Sequence, residues 1–440
     1  MNAAAAAFHF VGHDYAPDSG VLRLRYRLEP GPELVEELIF PPPPAGVEPP
    51  PADALTAACD MLLWIAGVSY WKTSCAPRMI CHHAAPDAWQ AAFLQRLYWH
   101  GLGEFAHENR LDLSDRIHFP DNGHTRIAPD WQPTGGALVP LGGGKDSLVV
   151  VEKVRRLGIA ATLTAVGQAP LINEVAAATG LPLLRVQRRL APELKALNEA
   201  GAWNGHVPIT AINSAILSVL ALLHGHRWLI FANERSADSP TRLHGDGGGV
   251  NHQYSKSLAF EDDWRHFLQR YVGGLDYFSL LRPWRELAVC RDFAALPQYH
   301  PVFSSCNRHF HLEGARTNRR WCGHCPKCHF VFLALAPFLP PDRLVEIFGV
   351  NLLDQPELLP DYRALLDLHG DRPFECIGEV AECRSALQAI SHQPEWTASR
   401  LVPQLAAELP QPTPDLESLL QPQPPHRIPA QFAADLPSSC

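Results

Sequence analysis

Three consecutive glycines followed by Lys-Asp-Ser constrain this chain more than any other stretch. They lie inside Gly135 to Gly158, which opens with the apolar run Ala137 to Leu141. That run reads as a buried strand. Gly142, Gly143 and Gly144 follow, then Lys145, Asp146 and Ser147, then an apolar helix closed by Gly158. Glycines let backbone N–H groups turn inward and approach a ligand closely. A helix N-terminus adds unpaired donors and a positive partial charge. Strand, glycine turn and helix together predict a phosphate cradle. Ordinary capping would account for Asp146 and Ser147, but not for three glycines and a lysine.

The spacing fits neither G-x-x-x-x-G-K-[ST], because Asp146 follows the lysine, nor G-x-G-x-x-G, which needs glycine at Ser147. Gly142-Gly143-Gly144-Lys145-Asp146-Ser147 resembles instead the PP-loop, S-G-G-x-D-S. That family binds ATP and cleaves it between the α and β phosphates, generally giving an adenylated substrate and pyrophosphate. Gly142 stands where the family usually has Ser or Thr. One hydroxyl donor is therefore missing, and Ser147 and the backbone inherit its work.

At 440 residues with 46% hydrophobic content, the chain is long enough for two or three domains with a large core. A formal net charge of -9 argues against general affinity for nucleic acid or anionic membrane, though not against a local basic patch. No apolar run is read as approaching the roughly 18 residues of a membrane span. The alanine-rich start lacks the basic region of a signal peptide. Of 11 cysteines, an odd number, four fall between Cys306 and Cys328. That pattern suits reduced thiols plus one metal site in the cytoplasm better than a disulfide framework.

Residues 1–132 read as an α+β domain. His9-Phe10-Val11 and Val21 to Tyr26 flank Asp18-Ser19-Gly20 as a hairpin, and Leu34 to Phe40 adds a strand. Asp53 is expected to cap one helix, and Pro86-Asp87 to open another. Cys75, Cys81, His82 and His83 are too irregularly spaced for a convincing metal site and read as buried thiols and surface histidines. Residues 133–330 alternate strand and helix, which predicts an α/β fold built on a doubly wound parallel sheet. Ligands in such sheets bind beyond the carboxyl ends of strands, here Gly142 to Ser147, Gly167-Gln168 and Asn233 to Ser236.

Asn233, Glu234 and Arg235 end an apolar strand, as a salt bridge at a loop entry or as contacts to Mg²⁺ or substrate. Asn204 to Thr210, with His206, precedes a helix that could line the same mouth. The glycine-rich segment His244 to Ser257 carries His252, Gln253, Tyr254, Ser255, Lys256 and Ser257 in succession and reads as a mobile, substrate-contacting loop. Cys322, Cys325 and Cys328 recur every three residues, and Cys306 supplies a fourth thiolate across a loop. Structural zinc is the expectation. A redox cluster or iron–sulfur site is the alternative, and His324 or His309 could replace a cysteine. Arg308, Arg316, Arg319, Arg320 and Lys327 make this lobe basic, which suits an acidic substrate. Residues 331–409 read as helical, and the proline-rich 410–440 as a tail, disordered or laid on the surface.

A strand–helix sheet followed by a four-cysteine site resembles the nitrile-forming deazaguanine synthases, although those chains are much shorter. The longer resemblance, over residues 8–400, is to the UDP-N-acetylmuramoyl-L-alanyl-L-glutamate epimerase family. It is carried by Leu22-Arg23-Leu24-Arg25-Tyr26 with Gly31 to Glu37, by Pro140 to Ser147, and by Asn251 to Ser257. The resemblance implies a UDP-linked muramoyl dipeptide substrate, with no nucleic acid partner and no membrane insertion. It implies ATP and Mg²⁺ used to invert a terminal L-Glu, releasing AMP and pyrophosphate. Gly142 to Ser147 would hold the phosphates and Ala165 to Gly167 the adenine edge. Lys145 would offset charge, and Asp146 would suit Mg²⁺. Asn233, Glu234, Arg235, Ser257, Arg319 and Arg320 are the substrate candidates. The acid–base pair is open among Tyr254, Lys256, His252 and His206. Another adenylate-forming enzyme, such as a tRNA thiolase or an amide or nitrile former, is the alternative. A nucleotide-binding regulatory module is the third.

Overall fold

The computed structural model describes residues 5–433 except 240–241, 244–248, 252, 310–319, 371, 374 and 376. His252, Arg316 and Arg319 therefore lie outside the described residues. The chain opens with an antiparallel meander: β1 (Ala7–Ala16), β2 (Val21–Glu29) and β3 (Glu33–Ile39). Alternation makes it: Leu22, Leu24, Tyr26 and Leu28 are buried, with Arg23, Arg25 and Arg27 between them. Gly20 turns the hairpin at φ 68°. β1 carries a bulge between Phe10 and Gly12.

The helix Ala52–Ala66 follows, capped by Pro51 rather than Asp53, which sits in its first turn. With the next turn it makes an apolar stretch, Ala52–Trp71, of 20 residues and mean hydropathy 1.3. By length and composition this stretch reaches that of a membrane span, against the expectation from the sequence. Its apolarity serves the core, since 78% of it is buried and it packs on the helix Ile209–Leu223. β4 (Arg78–Cys81) returns parallel to β1. Asp87 then caps the helix Ala88–Gly101 in a full capping box with Gln90.

β5 (Gly135–Pro140), β6 (Ala161–Val166), β7 (Leu183–Arg189) and β8 (His226–Phe231) come next. β9 (Arg242–Leu243) and β10 (Gly249–Val250) pair only with each other. β11 (Asp276–Ser279) closes the main sheet. The nine strands run β11-β8-β5-β6-β7-β3-β2-β1-β4, parallel from β11 to β7. The fold is mixed α/β on a parallel-rich sheet.

β3 pairs antiparallel with β7, so the strands on either side of residue 132 share one sheet. The joint carries a buried pair, Arg188 Nε to Glu36 Oε1 at 2.7 Å, with Tyr70 donating to the other Glu36 oxygen at 2.8 Å. The buried helix Pro326–Leu335 then centres a second core, against which the helices Pro341–Phe348, Val380–Ser391 and Leu401–Ala407 pack. The proline-rich end lies on this surface as far as described: Phe432 is buried against Trp228 and Phe278, and Arg427 pairs with Asp262 at 2.6 Å.

Candidate active site

β5 has β6 on one side and β8 on the other, so successive crossovers leave it in opposite directions. Such a switch point opens a crevice beyond the strand ends. A cavity of about 530 Å³ occupies that place, within the usual range for small-molecule sites. Its wall combines Gly142, Gly144, Asp146 and Ser147 after β5, Thr164 to Val166 at the end of β6, and Ala232 and Asn233 after β8. Thr210 and Asn213 from the helix Ile209–Leu223, Lys256, Lys327 and Ser304, Ser305 and Asn307 complete it.

The loop is built for close approach. Gly143 sits at φ 86°, and its carbonyl is pinned by the Ser304 N–H at 3.0 Å. A Cβ on Gly144 would lie 2.6 Å from Ser305 Oγ. Gly144 is the N-cap of the helix Lys145–Arg156, and among the described residues no side chain caps that end. Ser147 Oγ bonds the Gly144 carbonyl at 3.2 Å instead. The first-turn donors and the helix dipole are thus left for an anion. Capping by Asp146 and Ser147 is not what these residues do.

Lys145 does not face the cavity. Its side chain is buried, with the ammonium bonded to Asp146 and Glu286. It orients Asp146 and compensates Glu286 rather than reaching for phosphate. Burial works against both charges of the Lys145–Glu286 pair. Attraction outweighs it: Lys145, with help from Lys327 at 3.4 Å, holds Glu286 down to about 2, and Asp146 and then Glu286 raise Lys145. Glu234 goes the other way. Burial first, then Glu286 and Glu382, push its carboxyl well above the usual range. It accepts from the Ala237 N–H at 3.2 Å and is not in the cavity wall.

The other candidates divide. Gly142, Gly144, Asp146, Ser147, Ala165, Asn233 and Lys256 come together. Gly167 does not; its carbonyl accepts from Arg185. Arg235 donates to the Pro424 carbonyl of the tail at 2.7 Å, and Ser257 caps the helix Leu258–Phe267. Tyr254 stacks on His100 with centroids 4.7 Å apart, and His206 sits 3.5 Å from Glu104. Both lie away from the wall. Arg320 binds Val302 O and Glu174, each at 2.6 Å. Sequence reasoning missed Glu286 and Arg282. Arg282 is fully buried and ties Glu261, Asp238 and the carbonyls of Glu234 and Lys256 together, which fixes the segment that presents Lys256. A lone arginine or glutamate far along the chain carries no local signal of this.

Cys306, Cys322, Cys325 and Cys328 converge with all four sulfurs within 4.8 Å of one another. Sγ separations of 3.7 Å and 3.4 Å run from Cys328 to Cys322 and Cys325. A tetrahedron with metal–sulfur bonds of ~2.3 Å sets neighbouring sulfurs about 3.8 Å apart. The donor set and spacing fit zinc. Outside this set, Cys290 is buried with its pKa pushed up by burial, which makes it a poor nucleophile.

Fold and cavity define an α/β protein with an anion-receptive helix N-terminus at the switch point of a parallel-rich sheet. The comparisons carry this further. Residues 1–280 match the MurL N-terminal domain and residues 302–419 the MurL C-terminal domain. The chain belongs to the MurL family. A relative from Xanthomonas oryzae pv. oryzae is 46% identical over 430 residues, covering 96% of this chain and 95% of its own. It is named UDP-N-acetyl-alpha-D-muramoyl-L-alanyl-L-glutamate epimerase. Relatives from Salinispora tropica and a Micromonospora strain, 40% and 39% identical over 92% of this chain, carry the same name.

Proposed function

We propose that this chain is an epimerase that inverts the terminal L-glutamate of UDP-N-acetylmuramoyl-L-alanyl-L-glutamate in peptidoglycan precursor synthesis. The observation that carries this reading is 46% identity over 96% of the chain to a relative bearing that name. ATP is its co-substrate, because an α-proton beside a free carboxylate is very hard to remove. Adenylation releases pyrophosphate, neutralises the carboxylate and acidifies the α-carbon, and water then hydrolyses the acyl-adenylate to the free carboxylate and AMP. The uncapped helix N-terminus after Gly144 supports the ATP reading, as the natural seat for phosphate. Asp146 is the cavity carboxylate that would hold Mg²⁺, which supplies charge neutralisation on the phosphates. The four cysteines would hold zinc in a closed, structural site.

Lys256 and Lys327 reach the cavity from separate elements. They are the groups we assign to the acid–base step and to offsetting anionic charge. A nucleotide-linked substrate and ATP, both cytoplasmic metabolites, support a cytoplasmic reaction.

The test is to incubate the dipeptide nucleotide with ATP and Mg²⁺ in D₂O. D-Glu labelled at Cα should appear with stoichiometric AMP and pyrophosphate, and Asp146→Asn should abolish both. D-Glu formed without ATP, or ATP cleaved without D-Glu, overturns the reading.

A further inference from the structure

A second cluster lies far along the sheet from this cavity, on the β1 side. His13 and Asp60 meet with Nε2 and Oδ1 3.0 Å apart, and His83 joins them, the three ligand atoms all within 4.8 Å of one another. They come from three separate elements: β1, the helix Ala52–Ala66, and the loop after β4. The backbone is shaped for this meeting. The bulge in β1 falls just before His13 and redirects it. Gly12, at φ 153°, leaves room for His83, whose Cβ would lie 3.1 Å from any Cβ there. The two imidazoles stand edge to face with centroids 5.0 Å apart.

We infer that His13, Asp60 and His83 form a divalent transition-metal site distinct from the four cysteines. Two imidazoles and one carboxylate suit zinc, iron(II) or manganese. Ligand atoms ~2.1 Å from an octahedral metal lie about 3.0 Å apart and from a tetrahedral one about 3.4 Å, so the His13–Asp60 contact, a hydrogen bond of 3.0 Å here, needs little movement to admit a metal. Arg126 holds the second Asp60 oxygen at 3.3 Å, which leaves Oδ1 to act alone. Three protein ligands leave open positions. A cavity of about 360 Å³, lined by Asp60 and His83 with Gln90, His124 and Arg126, receives them. A simple His13–Asp60 ion pair would account for neither His83 nor the cavity.

The test uses untagged, metal-stripped full chain titrated with Co²⁺ under anaerobic conditions. Cobalt on the four cysteines shows intense thiolate charge-transfer bands. Cobalt on the nitrogen–oxygen site shows only weak visible bands. A non-thiolate equivalent is expected in the parent protein. His83→Gln, at an exposed position that leaves folding intact, should weaken it roughly tenfold or more while the charge-transfer bands stay. His82→Gln, one residue away and paired with His9 at 2.8 Å, should leave it unchanged. No non-thiolate equivalent, or equal behaviour of the two variants, overturns the proposal. The outcome is independent of whether the chain epimerises glutamate.

Discussion

Glu286 and Glu234 share one buried cluster, and their surroundings drive them apart. Glu286 lies against Lys145 and Lys327 and stays ionised, held down to about 2. A depressed carboxyl stabilises the fold above its unfolded pKa, and that contribution fades as pH falls from about 4.5 toward 2. Glu286→Gln removes it and leaves Lys145 buried with Asp146 alone. We expect a loss of about 3–5 kcal/mol in urea unfolding at pH 7. Glu234 faces carboxylates and is raised, so its protonated form is the folded one. Its contribution is present below the unfolded pKa and is lost as pH rises through the folded pKa. Glu234→Gln should therefore cost less than ~1 kcal/mol at pH 7 and compare better with the parent as pH increases. A large loss from Glu234→Gln, growing with pH, would refute this assignment.

At the scale of the element, the glycine loop separates folding from binding. Gly143 needs its positive φ, and a Cβ there would meet Leu171 at 3.1 Å. Gly143→Ala should cost at least ~1–2 kcal/mol in thermal unfolding. Among the described residues nothing lies within 4 Å of a Cβ on Gly142, which nevertheless lines the cavity. Gly142→Ala should keep the parent melting temperature and lose ATP affinity by calorimetry. Equal stability loss in the two would mean that the loop is shaped for folding alone. The cysteine hook is the second such element. Cys325→Ser should remove one zinc per chain by elemental analysis and lower the melting temperature, since the binding energy of a closed site is folding energy.

The described residues build a nine-stranded main sheet whose strands β5, β8 and β11 send alternate residues into two core clusters, Leu138, Leu229 and Tyr277 into one and Val139, Ile230 and Phe278 into the other, and the C-terminal tail belongs to that packing. Leu419, Leu420, Ile428 and Phe432 are buried. Phe432→Ala should cost about 3 kcal/mol and speed proteolytic removal of the tail. An unchanged melting temperature would show that the tail lies loosely on the surface.

Local rules settled much of this chain in advance. Alternating apolar residues made β1 to β3 legible, glycine punctuation made the turn before Lys145–Arg156 legible, and cysteine spacing made the hook legible, because each signal lies within a few residues of its effect. The strand ends that form the cavity followed from strand–helix alternation. Tertiary structure decided what no short window carries. Lys145 points to Glu286, which is 141 residues away, because a buried ammonium needs a carboxylate wherever the fold supplies one. The tail is held because Phe432 finds Trp228 and Phe278. His83 sits beside His13 and Asp60 because a bulge and a glycine bend β1, so three histidine and aspartate positions with no common spacing meet at one point.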